Sequence, residues 1–202
     1  MTTYNLCSVE EMDAELNSTS KMDSNMTEYI VGPNGTQCWY LNEDLHRTDG
    51  PAIIYPDGEQ AWFKNGERHR EDGPAVIFPN GHQAWYLNDK LHREAGPAII
   101  RPDGYQAWYL NGIIHREYGP AVTWEHGTQA WYLNGIKHRD DGPAVIYPNG
   151  TQEWYKDGYR HREDGPARID ANGKKWWYLN GEKCEPFKFN IKQLQFNIKD
   201  GF

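Results

Sequence analysis

Long hydrophobic runs are missing from this 202-residue chain, and with them any stretch of transmembrane length. The first residues, MTTYNLCSVEEMDAELN, have neither the charged start nor the apolar run of a secretory leader. Cysteine is scarce: Cys7, Cys38 and Cys184 form an odd set without C-x-x-C spacing, which excludes a disulfide framework and a thiolate zinc site. No basic stripe exists either. Formal net charge is -8, and Glu10, Glu11, Asp13, Glu15, Asp23 and Glu28 stand against Lys21 within the first thirty residues. An acidic chain of this kind is not built to hold nucleic acid or anionic lipid. A soluble protein of a reducing cytoplasm, the host's if the source is viral, is the expectation.

Leucine is sparse, but Trp 9, Tyr 13 and Phe 6 occur beside Gly 20 and Pro 12, a mixture that predicts aromatic strands joined by tight turns. These residues are periodic. Trp39, Trp62, Trp85, Trp108, Trp131, Trp154 and Trp177 are spaced by a constant 23 residues, as are His46, His69, His92, His115, His138 and His161. The histidines open the heptapeptides HRTDGPA, HREDGPA, HREAGPA, HREYGPA, HRDDGPA and HREDGPA.

One of these, HRDDG at 138, matches the start of a kinase catalytic loop. Kinase chemistry needs that Asp once, with a following Asn and an upstream glycine-rich loop and Lys. None of that set accompanies it here. A triplet that returns six times belongs to a scaffold, and we expect no enzyme activity and no cofactor.

The unit from Thr128 to Gly150, TQAWYLNGIKHRDDGPAVIYPNG, shows how a repeat is built. TQAWYL favours a strand and ends in Asn134-Gly135, which supplies the positive φ angles of a two-residue hairpin. The Gly before Pro in DGP suits a corner, AVIY makes a second strand, and PNG turns the chain into the next unit. Two strands per repeat advance the chain by about 10 Å. The predicted fold is all-β, an elongated antiparallel meander or solenoid of β-hairpin repeats over 31–181, with caps at 1–30 and 182–202. Ser8 with Glu11 makes a capping box for a short N-terminal helix, while the tail PFKFNIKQLQFNIKDGF fits a strand or a helix equally.

On EWYKDGYRHREDGPARIDANG and IYPNGTQAWYLNG, the repeat resembles the MORN type, with Trp131, Asn134, Gly135, His138 and Pro148 to Gly150 in matching places. The likeness covers about three quarters of the chain. Gln129 and Arg139 stand where that family has Gly, and the step from Trp to Asn is one residue longer. The HRxDGPA wording is most similar to repeat arrays of bacteriophage and giant-virus proteins. The resemblance implies scaffolding and, in some members, binding of acidic phospholipids.

The histidine column does not suggest a shared metal, because a pitch of about 10 Å between repeats exceeds what common ligation allows. The imidazoles are expected to pack or to bond a turn. Arg47, Arg70, Arg93, Arg116, Arg139 and Arg162 each precede an acid by one or two residues, a pattern for ion-pair ladders.

The seven periodic Trp are assigned to the repeat core, as are the invariant Ala52, Ala75, Ala98, Ala121, Ala144 and Ala167. One column varies instead: Tyr55, Phe78, Arg101, Trp124, Tyr147 and Asp170. Freedom to vary suggests exposure, and exposed aromatics in a row make a binding surface. Tyr55, Phe78, Arg101, Trp124 and Tyr147, with Leu87, Leu110 and Leu133 beside them, are therefore the candidate partner-binding residues. The expected role is a protein-interaction scaffold, a monomer or small homo-oligomer with a protein partner and no nucleic-acid or membrane contact. The alternatives are a phage-type inhibitor of a host protein, acting through acidic mimicry, and a phospholipid-binding module.

Overall fold

A computed structural model describes residues 28–185. The calls on Ser8, Glu11 and the C-terminal tail lie outside them. The described residues are all-β, with antiparallel pairing throughout, and hold no helix long and apolar enough to cross a membrane. They divide into two compact units, 28–92 and 93–185.

Each unit is a meander. In the first, Glu28–Val31, Gln37–Leu41, Ile53–Ile54, Gln60–Ala61, Val76–Ile77 and Gln83–Ala84 pair in chain order. In the second, the order runs from Ile99–Ile100 and Gln106–Ala107 through Val122–Thr123, Gln129–Ala130, Val145–Ile146 and Gln152–Glu153 to Arg168–Ile169, Lys175–Leu179 and Glu182–Cys184. Both are open sheets. A second set of hairpins stands beside the main strands, among them Phe63–Lys64 with Glu67–Arg68 and Tyr132–Leu133 with Ile136–Lys137.

An interior repeat thus contributes four short strands rather than the expected two. The division falls at the Trp. Trp62 donates its amide to Ala75 O, whereas its carbonyl accepts from His69 N, so its two peptide groups serve different partners. TQAWYL is therefore two strands with a joint at its centre. The first and last copies, Gln37–Leu41 and Lys175–Leu179, run straight through.

Turn chemistry accounts for both bends. Asn65 at φ 52 and Gly66 at φ 78 have the two positive angles of a type I′ hairpin, and Asn134 with Gly135 repeats them at 51 and 82. At the other bend, Asn80 Oδ1 accepts from His82 N at 2.9 Å while Gly81 donates to Phe78 O at 2.9 Å. The heptapeptide is likewise local structure. Asn65 donates its amide to His46 Nδ1 at 3.1 Å, and Asn134 does the same to His115 at 3.1 Å, so each His ties its repeat to the next turn.

The Arg following that His lies over the Trp. The guanidinium carbon of Arg70 is 4.2 Å from the Trp62 ring centre, and that of Arg139 is 4.2 Å from Trp131. In both, Nη1 donates to the carbonyl of the Pro four residues on, and Nε to the Asp two residues on. The intervening Gly has a specific reason to be Gly. A Cβ at Gly73 would meet Arg70 Cζ at 2.9 Å. A side chain at that position would have to displace the guanidinium.

Pairing places Cys38, Ile53, Ala61, Val76 and Ala84 in one buried row of the first unit. Ile30, Leu45, Tyr55, Phe63, Phe78, Tyr86 and Leu91 pack against it. The six invariant Ala are 0% exposed, which leaves no volume for a larger side chain. The periodic Trp are half-buried, with the small aliphatics forming the innermost layer.

Candidate functional site

The sequence-predicted surface column occupies corners and not an open face. Tyr55 and Phe78 pack against the core, Phe78 stacks on His82 at 4.7 Å between ring centres, and Trp124 and Tyr147 are half-buried. Only Arg101 in this set is exposed, with its guanidinium 4.6 Å from the Tyr105 ring. The expected exposure of the column is corrected accordingly. Its residues start the main-sheet turns, where Tyr55 N donates to Glu59 O and Trp124 N to Thr128 O. At two of these turns the residue packs on the ring across it, Phe78 on His82 and Arg101 on Tyr105. Leu87 and Leu110 are half-buried, and Leu133 is 37% exposed.

Exposed apolar side chains gather elsewhere. In the second unit, Ile113, Ile136 and Tyr159 follow their hairpin turns directly and are 51%, 48% and 62% exposed. Leu110 lies opposite Ile113 and Leu133 opposite Ile136 across their strand pairs. Ile113 Cγ2 is 3.4 Å from the place a Cβ would take on Gly135, and Ile136 Cγ2 is 3.0 Å from that place on Gly158. Each side chain thus rests on the turn glycine of the next hairpin. A stripe results from Leu110 to Tyr159, with both backbone and side chain preformed.

The same column in the first unit reads Asp44, Glu67 and Lys90. A change from charge to apolar surface at constant backbone is not a demand of folding. It could have been read from the residue after each two-residue hairpin turn, Asn-Gly or its variants Asn-Glu, Asn-Asp and Asp-Gly, which our variable-column reading passed over. Burial raises the Tyr132 phenol above its ordinary range, with the neighbouring Tyr105, Tyr109 and Tyr147 adding to the effect.

The second departure from the repeat is ionic. The inner row of the second unit runs Ile99, Ala107, Val122, Ala130 and Val145, and then turns to Glu153, Arg168 and Trp176. Glu153 is 1% exposed. Its carboxylate accepts from Arg160 Nη2 at 2.9 Å, Arg168 Nη1 at 2.6 Å and the Tyr155 hydroxyl at 3.0 Å. Burial, helped by the Glu153 charge, pushes the Tyr155 phenol up to about 12. Asp170 completes the cluster: Trp176 Nε1 and Arg168 Nε both donate to it and hold its carboxyl below the usual carboxylate range. Every carboxylate here has its cation and the phenol is neutral, so the cluster is a structural clasp on the last repeats.

The histidines of the repeat are engaged with the turns that follow them. His138 Nε2 is 3.2 Å from Asp140, and its Nδ1 faces the Asp157 side chain at 3.1 Å. Among the described residues, no group of three His, Cys, Asp or Glu is placed to share a metal ion. No protein-family model matches the chain, and no curated protein matches it.

Proposed function

We propose that this chain is a non-catalytic protein-binding module built on a MORN-like repeat array, and that the stripe from Leu110 through Ile113, Leu133 and Ile136 to Tyr159 is its contact surface. The observation that carries the reading is the change of one column from Asp44, Glu67 and Lys90 to exposed Ile113, Ile136 and Tyr159. Water penalises that exposure, and the fold does not require it. Large apolar side chains on a rigid hairpin lose little conformational freedom when a partner covers them. The HRxDG residues support the non-catalytic side, since His, Arg, Asp and Gly each have a structural task in the repeat.

Quantitative capture from the native cytoplasm tests the proposal, with full-length wild type compared against Ile136→Asp and Tyr159→Asp. A protein held by the wild type should be lost at least about tenfold with either variant, because a carboxylate would be buried unpaired in the interface. Equal capture by all three folded proteins would remove the stripe from consideration.

A further inference from the structure

The repeats contain an internal control for one polar seat. In four of them the Arg of HRxDG is held by the ring of a Trp and by an Asp carboxylate, and in three of the four, at Arg47, Arg70 and Arg139, also by the carbonyl of a Pro. Arg47, Arg70, Arg139 and Arg162 reach Asp49, Asp72, Asp141 and Asp164 through Nε at 2.7, 2.8, 2.7 and 2.7 Å. The hydrogen bond from Arg, reinforced by its charge, draws each of these Asp below the ordinary carboxylate range.

Arg116 keeps the ring and the carbonyl and has lost the carboxylate. Its Cζ is 3.9 Å from the Trp108 ring centre, and its Nη1 donates to Pro120 O at 3.0 Å. Tyr118 occupies the Asp position and is 85% exposed, the largest exposure of any large apolar side chain among the described residues. No carboxylate among those residues pairs with Arg116. Partial burial without a compensating acid draws its guanidinium below the usual range. The turn takes a different path here, with Gly119 at φ 105, yet the guanidinium stays on its ring and its carbonyl.

We propose that Arg116 and Tyr118 form a receptor for an acidic peptide segment of a protein partner, whose Asp or Glu carboxylate takes the place that an internal Asp fills in four of the other five repeats, the fifth having Ala95 there. The inference deepens the protein-binding reading and rests on it by naming the partner's chemistry. Because ring and carbonyl already fix the guanidinium, the incoming carboxylate does not have to order it. An exposed Arg–carboxylate pair is weak alone, so affinity must come from an apolar group beside the acid. Tyr118 supplies the aromatic surface. Ile113, three residues before Arg116 and therefore within about 10 Å along the chain, begins the apolar stripe.

The test is titration of the full chain with acetyl-Leu-Asp-Leu-amide, followed through the arginine Nε–H resonances. The Arg116 signal is identified as the one absent from Arg116→Lys. It should move saturably with the Asp peptide and at least about fivefold less with the Asn counterpart. Tyr118→Asp refills the seat from within, in a residue context that four repeats already fold, and should weaken the peptide response at least about tenfold. Ile136→Asp should leave that response within about twofold, so loss of the stripe and loss of the seat are read separately. Undiminished binding by Tyr118→Asp, equal response to the Asn peptide, or an Arg116 signal that does not move would each overturn the proposal.

Discussion

Replacing Glu153 by Ala installs the residue that the neighbouring repeats hold at Ala61, Ala84, Ala107 and Ala130. The change should nevertheless destabilise the protein. Removing one partner of a buried ion pair costs about 3 to 5 kcal/mol, because the remaining charge is left uncompensated. Arg160 and Arg168 are 33% and 34% exposed and can turn partly to water, which brings the expected cost to about 2 to 3 kcal/mol. Glu153→Ala/Arg168→Val/Asp170→Tyr matches Ala130, Val145 and Tyr147 of the preceding repeat, where a cation, Lys137, also stands in the place of Arg160. A well-packed apolar replacement of a buried ionic cluster is close to neutral, so the triple variant should lie within about 1 kcal/mol of wild type. Urea unfolding followed by Trp fluorescence gives both values, provided m is unchanged. The amides of Arg168–Ile169 should exchange faster in the single variant and recover in the triple. If Glu153→Ala shifts stability by less than about 0.5 kcal/mol, or the triple variant is no better than the single, the clasp does not hold these repeats together.

Three further outcomes follow from the geometry. Gly73→Ala should cost about 1 to 2 kcal/mol by pushing the Arg70 guanidinium off Trp62, and in an Arg70→Ala background it should cost much less, as thermal denaturation of the four proteins would show. Asp140→Asn removes the carboxylate of the kinase-like triplet, which is highly exposed, and should leave the urea midpoint unchanged; Asp141→Asn, at the Arg139 seat, should lower it. Tyr155 has a folded pKa of about 12 against an ordinary 10, so it adds stability in full below pH 10 and loses it as pH rises from 10 to 12. Tyr155→Phe should flatten the stability decline across that window, and an unaltered alkaline slope would show that the phenol is not confined by the fold.

The sequence by itself determined what is encoded by neighbours along the chain. The 23-residue period, the all-β class, the Asn-Gly hairpins and the packed Ala column were all legible, because a turn's φ angles and a strand's alternation depend on adjacent residues. Tertiary structure decided everything that depends on what lies across a strand pair or above a ring. It cut TQAWYL at the Trp, because that residue's amide and carbonyl face different partners. It placed the Arg70 guanidinium over the Trp62 ring, where it comes within 2.9 Å of the Cβ that Gly73 lacks. Phe78 was turned toward His82 and the core, while Ile113, Ile136 and Tyr159 were left in water. Glu153 is the sharpest case. An acid at an Ala position reads as exposed in sequence, but pairing sets Arg168 directly opposite it, and the register between strands fifteen residues apart makes burial of that charge tolerable.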